Sequence, residues 1–327
     1  MFLPKILKTA NKQQDGDNMR IAFMGTPDFS VPCLEALIAS GHEIVGVFCQ
    51  PDKPVGRKQI LTPPPVKVAA LENGLTVFQP DSVRNGVGVK ILEEIKPDLV
   101  VVVAYGKILP KEFLDFPKHG CINIHASVLP KYRGASPIHF AVINGDKVTG
   151  VTAQQMDVGV DTGDILHVLT CEIGENDTTE YMYEVLAPLG ARVLTETIEM
   201  LENGTLHPVK QNDDEATHVG LLSKNMSSID WSCSAFEIHN KIRGLYSWPG
   251  ASTVISGKTL KLHSSVLSDK TGNNIAGEVI ESNGKLVVAC GDNNCIEIIE
   301  LQLEGKKRMT ASVFLNGYTV EKGTVLG

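Results

Sequence analysis

From Met19 onward, apolar residues follow two alternating rhythms. The stretches MRIAFMG, EIVGVFCQ, LTVFQ and DLVVVVAYG are short, nearly continuous apolar runs, the mark of strands buried on both faces. Between them DFSVPCLEALIAS, VKVAALENG and VKILEEI place apolar residues every three or four positions, as a helix with one buried side does. Strands alternating with helices of this length predict βαβ units and a parallel sheet covered on both faces, a doubly wound α/β domain. INIHAS continues as a strand and SPIHFAVING as a helix; TGVTAQQMD and GDILHVLTCEI are two further strands. A long helix over 177–204 closes the region, with Asp177 and Glu180 spaced as a capping box, Gly204 as its stop and Pro188 expected to kink it. The proline-rich segment 51–65 is expected to be a loop.

The pattern then changes. Residues 205–222 are polar, lack periodicity and are expected to be a linker. Beyond them SAFEIHNKIRGL predicts a helix, followed by the short strands STVIS, TLKLHSSVL, GEVIES, KLVVACG and CIEIIELQLEG, separated by SG, SNG and GDNN turns. Such spacing suggests a small barrel or sandwich. The expected layout is an extension over 1–18, a catalytic domain over 19–204, a linker over 205–222 and a second domain over 223–327. The extension is expected to be frayed or an upstream start, with organellar targeting the lesser option, because its apolar core is short and its acids and lysines are mixed.

Composition narrows the class. With 327 residues, 43% of them hydrophobic, the chain can bury two cores. No apolar run approaches the roughly 20 residues of a membrane span, so no membrane partner is expected. The seven cysteines (33, 49, 121, 171, 233, 290 and 295) form no CxxC, which argues for a reducing, cytoplasmic setting and against a zinc knuckle. Cys290 and Cys295 flank GDNN as plain strand positions across a hairpin. The net charge is −8, yet residues 1–220 carry 19 basic and 28 acidic side chains against 11 and 10 in 221–327. A polyanion would therefore have to use local patches, PVGRK with Arg57 and Lys58 or GKKR with Lys306, Lys307 and Arg308.

The first strand-to-helix turn, GTPDF, lacks the glycine pattern of dinucleotide sites, and no phosphate-binding GxxxxGKS occurs. More informative is CINIHASVLPKYRG at 121–134. Asn123 and His125 are two apart on a strand and so project from one face. Asp161, in MDVGVDTGDIL, is a third polar residue near a strand end. An amide that donates to a developing oxyanion, an imidazole that moves a proton and a carboxylate that orients the ring and raises its basicity are the parts for acyl transfer to an amine. A satisfied structural histidine and a turn aspartate fit the same spacing.

Asn123-x-His125 with SVLPKYRGASP, followed by MDVGVDTGDIL with its Asp 38 residues after the Asn, resembles the folate-dependent formyltransferase family. The likeness extends from Met19 almost to the C-terminus through FMGTPDFSVPCLEAL, QPDKPVGRK, PPPVK, VVVAYGKILPKE, IDWS and SWPGA, and is closest to members acting on methionyl-tRNA. It implies a Rossmann-like catalytic domain, an OB-like barrel contacting tRNA, and transfer of formyl from 10-formyl-tetrahydrofolate to the α-amine of initiator methionyl-tRNA, with no metal. Asn123, His125 and Asp161 are implied as the catalytic trio; Ser127, Val128, Leu129 and Pro130 as contributors to binding of the folate donor; and backbone around Lys107 to Leu109 as the pterin's flank. QPDKPVGRK is implied to engage the tRNA acceptor arm, with Arg57 at the position associated with initiator discrimination. The family usually reads SLLP where this chain has SVLP. A monomer is expected. Two other functions are weighed: a sibling formyltransferase acting on glycinamide ribonucleotide or an amino sugar nucleotide, and a noncatalytic RNA-binding module.

Overall fold

The computed structural model describes residues 18–56, 58–272 and 274–327. Arg57 and the extension up to residue 17 lie outside the described residues. In chain order the first region comprises β1 (Arg20–Gly25), α1 (Val31–Ala39), β2 (Glu43–Phe48), β3 (Lys53–Val55), β4 (Ile60–Thr62), α2 (Pro65–Glu72), β5 (Val77–Phe78), α3 (Val87–Ile95), β6 (Leu99–Val103), α4 (Lys111–Leu114), β7 (Cys121–His125), β8 (Arg133–Gly134), α5 (Pro137–Ile143), β9 (Val148–Gln155), β10 (Ile165–Glu172) and α6 (Thr179–Glu202).

The described residues form a seven-stranded sheet in the order β10-β9-β7-β6-β1-β2-β5. Its pairings are parallel from β5 through β7. β9 then runs antiparallel to both β7 and β10; the loop from Gln155 to Ile165 is too short for a crossover, so β10 returns beside β9 as a hairpin. The all-apolar β6, LVVVV, is buried along its whole length, between two apolar clusters that cover opposite faces of the sheet. Alternate residues feed the two sides: Ile21 and Phe23 of β1 join one cluster, Ala22 and Met24 the other.

Three local expectations need correction. The cap of α6 is Thr178, whose side chain accepts from Tyr181 N, not Asp177, which accepts from Gly174 N instead. α6 also continues unbroken through Pro188, since Pro188 and Glu184, whose carbonyl loses its helical donor, are both exposed to water. Segment 51–65 is not all loop: β3 and β4 pair as a small antiparallel hairpin. Its base is tied by Asp52, which accepts from Lys67 Nζ at 2.8 Å and Gln79 Nε2 at 2.8 Å.

The second region contains β11 (His218–Val219), α7 (Ala235–Gly244), β12 (Ala251–Ile255), β13 (Lys258–Thr271), β14 (Val279–Glu281), β15 (Leu286–Ala289), β16 (Asn294–Leu303), β17 (Met309–Thr310) and α8 (Ala311–Gly317). β12 to β17 make an antiparallel sheet, β12-β13-β16-β15-β14 with β17 on β16, around its own apolar core. Cys295 sits across from Ala289 in that sheet, and both Cys290 and Cys295 are buried free thiols. α7 begins with a full capping box: Ser234 Oγ accepts from Glu237 N, and Glu237 Oε2 accepts from Ser234 N at 2.9 Å.

The two regions meet through α7. The buried Arg243 donates to the carbonyls of Gly174 and Asp177, His239 Nε2 lies 3.0 Å from the Glu175 carbonyl, and Thr179 Oγ1 donates to the Gly244 carbonyl. The two tryptophans do not both pack this junction. Trp231 is buried in the core of the second region with Nε1 donating to Thr253 Oγ1. Trp248 is half exposed and lines a cleft between the regions with Asp28, His139 and Tyr183.

Candidate active site

Parallel α/β sheets bind ligands beyond the carboxyl ends of their strands, where the strand order reverses. Here the reversal lies between β1 and β6, and the next strand outward is β7, which carries Asn123 and His125. Asn123 pairs across the sheet with Gln154 of β9. The β9–β10 loop folds back over this pair and delivers Asp161. Three N–H donors converge on its carboxylate: Gln154 Nε2 at 2.7 Å and Asn123 Nδ2 at 3.3 Å on Oδ1, and Gly134 N at 2.8 Å on Oδ2. Asp161 has φ of 55°, a left-handed conformation costing about 1 kcal/mol that surrounding contacts must offset. The loop is held tightly enough that a Cβ on Gly163 would lie 1.6 Å from the Gln155 carbonyl oxygen.

His125 is 6% exposed, and its Nε2 donates to the Tyr132 carbonyl at 2.9 Å. That carbonyl can only accept, so in the neutral ring the proton sits on Nε2 and the lone pair on Nδ1. Nδ1 faces Asp161 Oδ1 at 3.6 Å, beyond hydrogen-bond range. The expectation that the carboxylate orients the ring is thereby corrected: the Tyr132 carbonyl does so, and the carboxylate stands close enough to stabilise an imidazolium once Nδ1 takes a proton. An amide, an imidazole with a free basic nitrogen and a carboxylate thus face one another at the sheet edge. Among the described residues no cluster of metal-ligating side chains is found.

Other sequence-predicted residues fall as follows. Ser127 is fully buried, its hydroxyl donating to the Lys131 carbonyl, and Leu129 and Leu109 are also buried, so their side chains shape the loops from within. Val128 and Pro130 are partly open. Lys107 Nζ donates to the carbonyls of Pro80 and Asp81, joining two loops that line a cleft of about 320 Å³ with Ser82, Val83, Arg84 and Ile108. Lys58 is exposed on the β3–β4 hairpin. Lys306 and Lys307 are exposed on the β16–β17 turn, whereas the neighbouring Arg308 is engaged by Glu300 and packs over the Tyr246 ring at 5.1 Å.

Gln154, Tyr132, Arg133, Gln211 and Thr217 were missed. Gln154 had a faint signal, as the first of two glutamines that end the strand VTGVTAQQ. Gln211 and Thr217 lie in the segment that sequence treats as a linker. In fact β11 pairs with β8, and Gln211 Nε2 donates to the Asp161 and Gly163 carbonyls. Polar composition hides a strap that bonds to backbone groups and to the Arg133 guanidinium.

The fold thus brings together, at the carboxyl ends of its strands, the three groups that acyl transfer to an amine requires. The family model for formyl transferases matches residues 19–198, and that for the formyl transferase C-terminal domain matches 221–319. The chain belongs to the formyl transferase family. Its relatives include the methionyl-tRNA formyltransferase of Alkaliphilus oremlandii, 48% identical over 94% of this chain and 100% of the relative. That of Caldanaerobacter subterraneus subsp. tengcongensis is 46% identical over the same shares. Among solved structures, the N-formyltransferase of Helicobacter canadensis in complex with folinic acid and dTDP-3-aminofucose superimposes with a TM-score of 0.68, at 22% identity over 86% of this chain and 98% of that one. At that identity the likeness speaks for the fold.

Proposed function

We propose that the protein transfers the formyl group of 10-formyl-tetrahydrofolate to the α-amine of initiator methionyl-tRNA. The convergence of Asn123, His125 and Asp161 at the carboxyl edge of the sheet carries the chemical part. The acceptor follows from relatives that match nearly the whole chain, among them the two methionyl-tRNA formyltransferases named above. The sugar-acting neighbours are only 21–22% identical, so a small-amine acceptor is not favoured.

The amine nitrogen attacks the formyl carbon, and the carbonyl π pair moves to oxygen. The Asn123 amide donates to that oxyanion. His125 Nδ1 accepts the proton released by the amine, with Asp161 stabilising the imidazolium, and Nε2 stays on the Tyr132 carbonyl throughout. Collapse of the intermediate breaks the bond from carbon to the folate nitrogen, and His125 returns the proton to that nitrogen. The products are formylmethionyl-tRNA and tetrahydrofolate.

The loops carrying Lys107 to Leu109 and Ser127 to Pro130 flank β6 and β7, which supports them as the donor's site through backbone and the open Val128 and Pro130. The β3–β4 hairpin with Lys58, and Arg57 next to it in the sequence, are assigned to tRNA phosphates together with Lys306, Lys307 and Arg308. A cytoplasmic monomer belongs to the same proposal; no helix among the described residues is long and apolar enough to cross a membrane. The test offers labelled 10-formyl-tetrahydrofolate in parallel to charged initiator tRNA, charged elongator tRNA and glycinamide ribonucleotide. Label on the initiator tRNA is expected, and preferential label on the ribonucleotide would overturn the assignment of the acceptor.

A further inference from the structure

We infer that the segment joining the two regions is a positioning strap for the reaction, with Gln211 holding Asp161 and Thr217 holding His125. The inference rests on the catalytic roles proposed above for those two residues. Gln211 uses all of its side-chain hydrogen-bonding capacity on the site's framework. Its Nε2 donates to the carbonyls of Asp161 at 2.9 Å and Gly163 at 2.7 Å, and its Oε1 accepts from Arg133 Nε at 3.0 Å and Nη2 at 2.9 Å. A primary amide has two donors and two acceptor lone pairs, and all four are engaged. Asparagine is a methylene short, glutamate lacks the donors and methionine lacks both functions.

Arg133 is buried, 3% exposed, and its Nη2 also reaches Asp213 Oδ1 at 2.7 Å. Its neighbour Gly134 donates to the Asp161 carboxylate, and both residues pair with His218 and Val219 of the strap. Asp161 is therefore gripped at its carbonyl by Gln211 and at its carboxylate by a strand that the strap itself pairs with. Such contacts are what keep a non-glycine residue at a φ of 55°.

The second branch runs through Thr217. Its Oγ1 accepts from Tyr132 N at 2.8 Å and its carbonyl accepts from Arg133 N at 2.8 Å. Tyr132, also left-handed at a φ of 60°, offers the carbonyl that fixes His125 Nε2. One connecting segment thus sets both the carboxylate and the ring that must meet the reacting amine.

The experiment compares Gln211→Met, Gln211→Glu, Thr217→Val and Asp161→Asn, alone and with Gln211→Met and Asp161→Asn combined, in the full chain. Gln211→Met is expected to lower kcat with initiator methionyl-tRNA by about 10²-fold, the loss typical of roughly 1 Å of misplacement, with KM for both substrates unchanged. The Gln211→Met, Asp161→Asn double variant is expected to be no slower than Asp161→Asn, since a residue acting through another is not additive with it. Thr217→Val, which removes one bond on the His125 branch, is expected to lower kcat less, again at constant KM. If Gln211→Met fails to fold, Gln211→Glu, which keeps the Arg133 contacts and sets a repelling carboxylate oxygen in place of the two donors, carries the same expectation. An inactive Asp161→Asn beside a fully active Gln211→Met and Gln211→Glu, a loss borne by KM, or multiplicative losses in the double variant would overturn the strap alone. A fully active Asp161→Asn would instead overturn the role of Asp161, and the inference with it.

Discussion

The roles proposed for His125 and Asn123 rest on what surrounds them. The Tyr132 carbonyl chooses the tautomer of His125, which leaves Nδ1 as the basic atom, and the Asn123 amide lies beside it on the same strand face. Replacing Asn123 by alanine is expected to reduce kcat by about 10²- to 10³-fold, as removal of an oxyanion donor does, while equilibrium binding of the folate stays within a few-fold of wild type. Gly163→Ala is expected to abolish turnover, because its Cβ cannot coexist with the Gln155 carbonyl and the Asp161 loop must move. His139 supplies a prediction about stability. Burial pulls its pKa down from 6.5 to about 4, and its Nδ1 is buried without a partner. Between pH 6.5 and about 4 the unfolded chain therefore binds a proton that the folded one refuses, so stability falls as pH drops through that window. Urea unfolding of His139→Phe at pH 7 and pH 5 should show a smaller difference than wild type, and an equal difference would contradict the assignment. The pair at 123 and 125 could be read from the alternation of a strand. Gln154 could not, because its place beside Asn123 depends on a cross-strand register that no local pattern encodes.

At the scale of elements, periodicity located the principal strands and helices of the first sheet but not their ends. Thr178 rather than Asp177 caps α6 because a hydroxyl one residue later reaches the helix's free N–H, while the Asp177 carboxylate is drawn back to Gly174. The antiparallel turn of β9 was invisible because direction follows from loop length and packing, not from composition. α7 illustrates the opposite case, since Ser234 and Glu237 form the box that their spacing announces. Ser234→Ala is expected to cost about 1 kcal/mol of unfolding free energy, measured by denaturant titration. Gly244, near the end of the same helix, faces α5 so closely that an added Cβ would lie 2.4 Å from Ile143 Cγ1 and 3.0 Å from its backbone nitrogen. Overpacking of this kind costs about 1–3 kcal/mol. Gly244→Ala should therefore lower the melting temperature more than Ser234→Ala does.

For the molecule as a whole, an acidic protein with a net charge of −8 is proposed to bind a polyanion, and only local basic patches can reconcile the two. Affinity for tRNA should fall as salt rises, and Lys58→Ala should lessen the slope of log K against log salt by about one unit if that lysine displaces one counterion. Glu300 engages Arg308, so its removal should change the slope less than that of Lys306 or Lys307. The two-part layout was evident from the change in pattern after residue 204, whereas the bonds of segment 205–222 to the site were not, because they run to backbone carbonyls and N–H groups far away in sequence. The most direct test of the account is single-turnover transfer from labelled 10-formyl-tetrahydrofolate to charged initiator tRNA, by wild type and by His125→Ala under saturating folate. The account predicts rapid label transfer by the wild type and a variant that binds both substrates but transfers formyl at least about a hundredfold more slowly. A His125→Ala protein that transfers at the wild-type rate would contradict it.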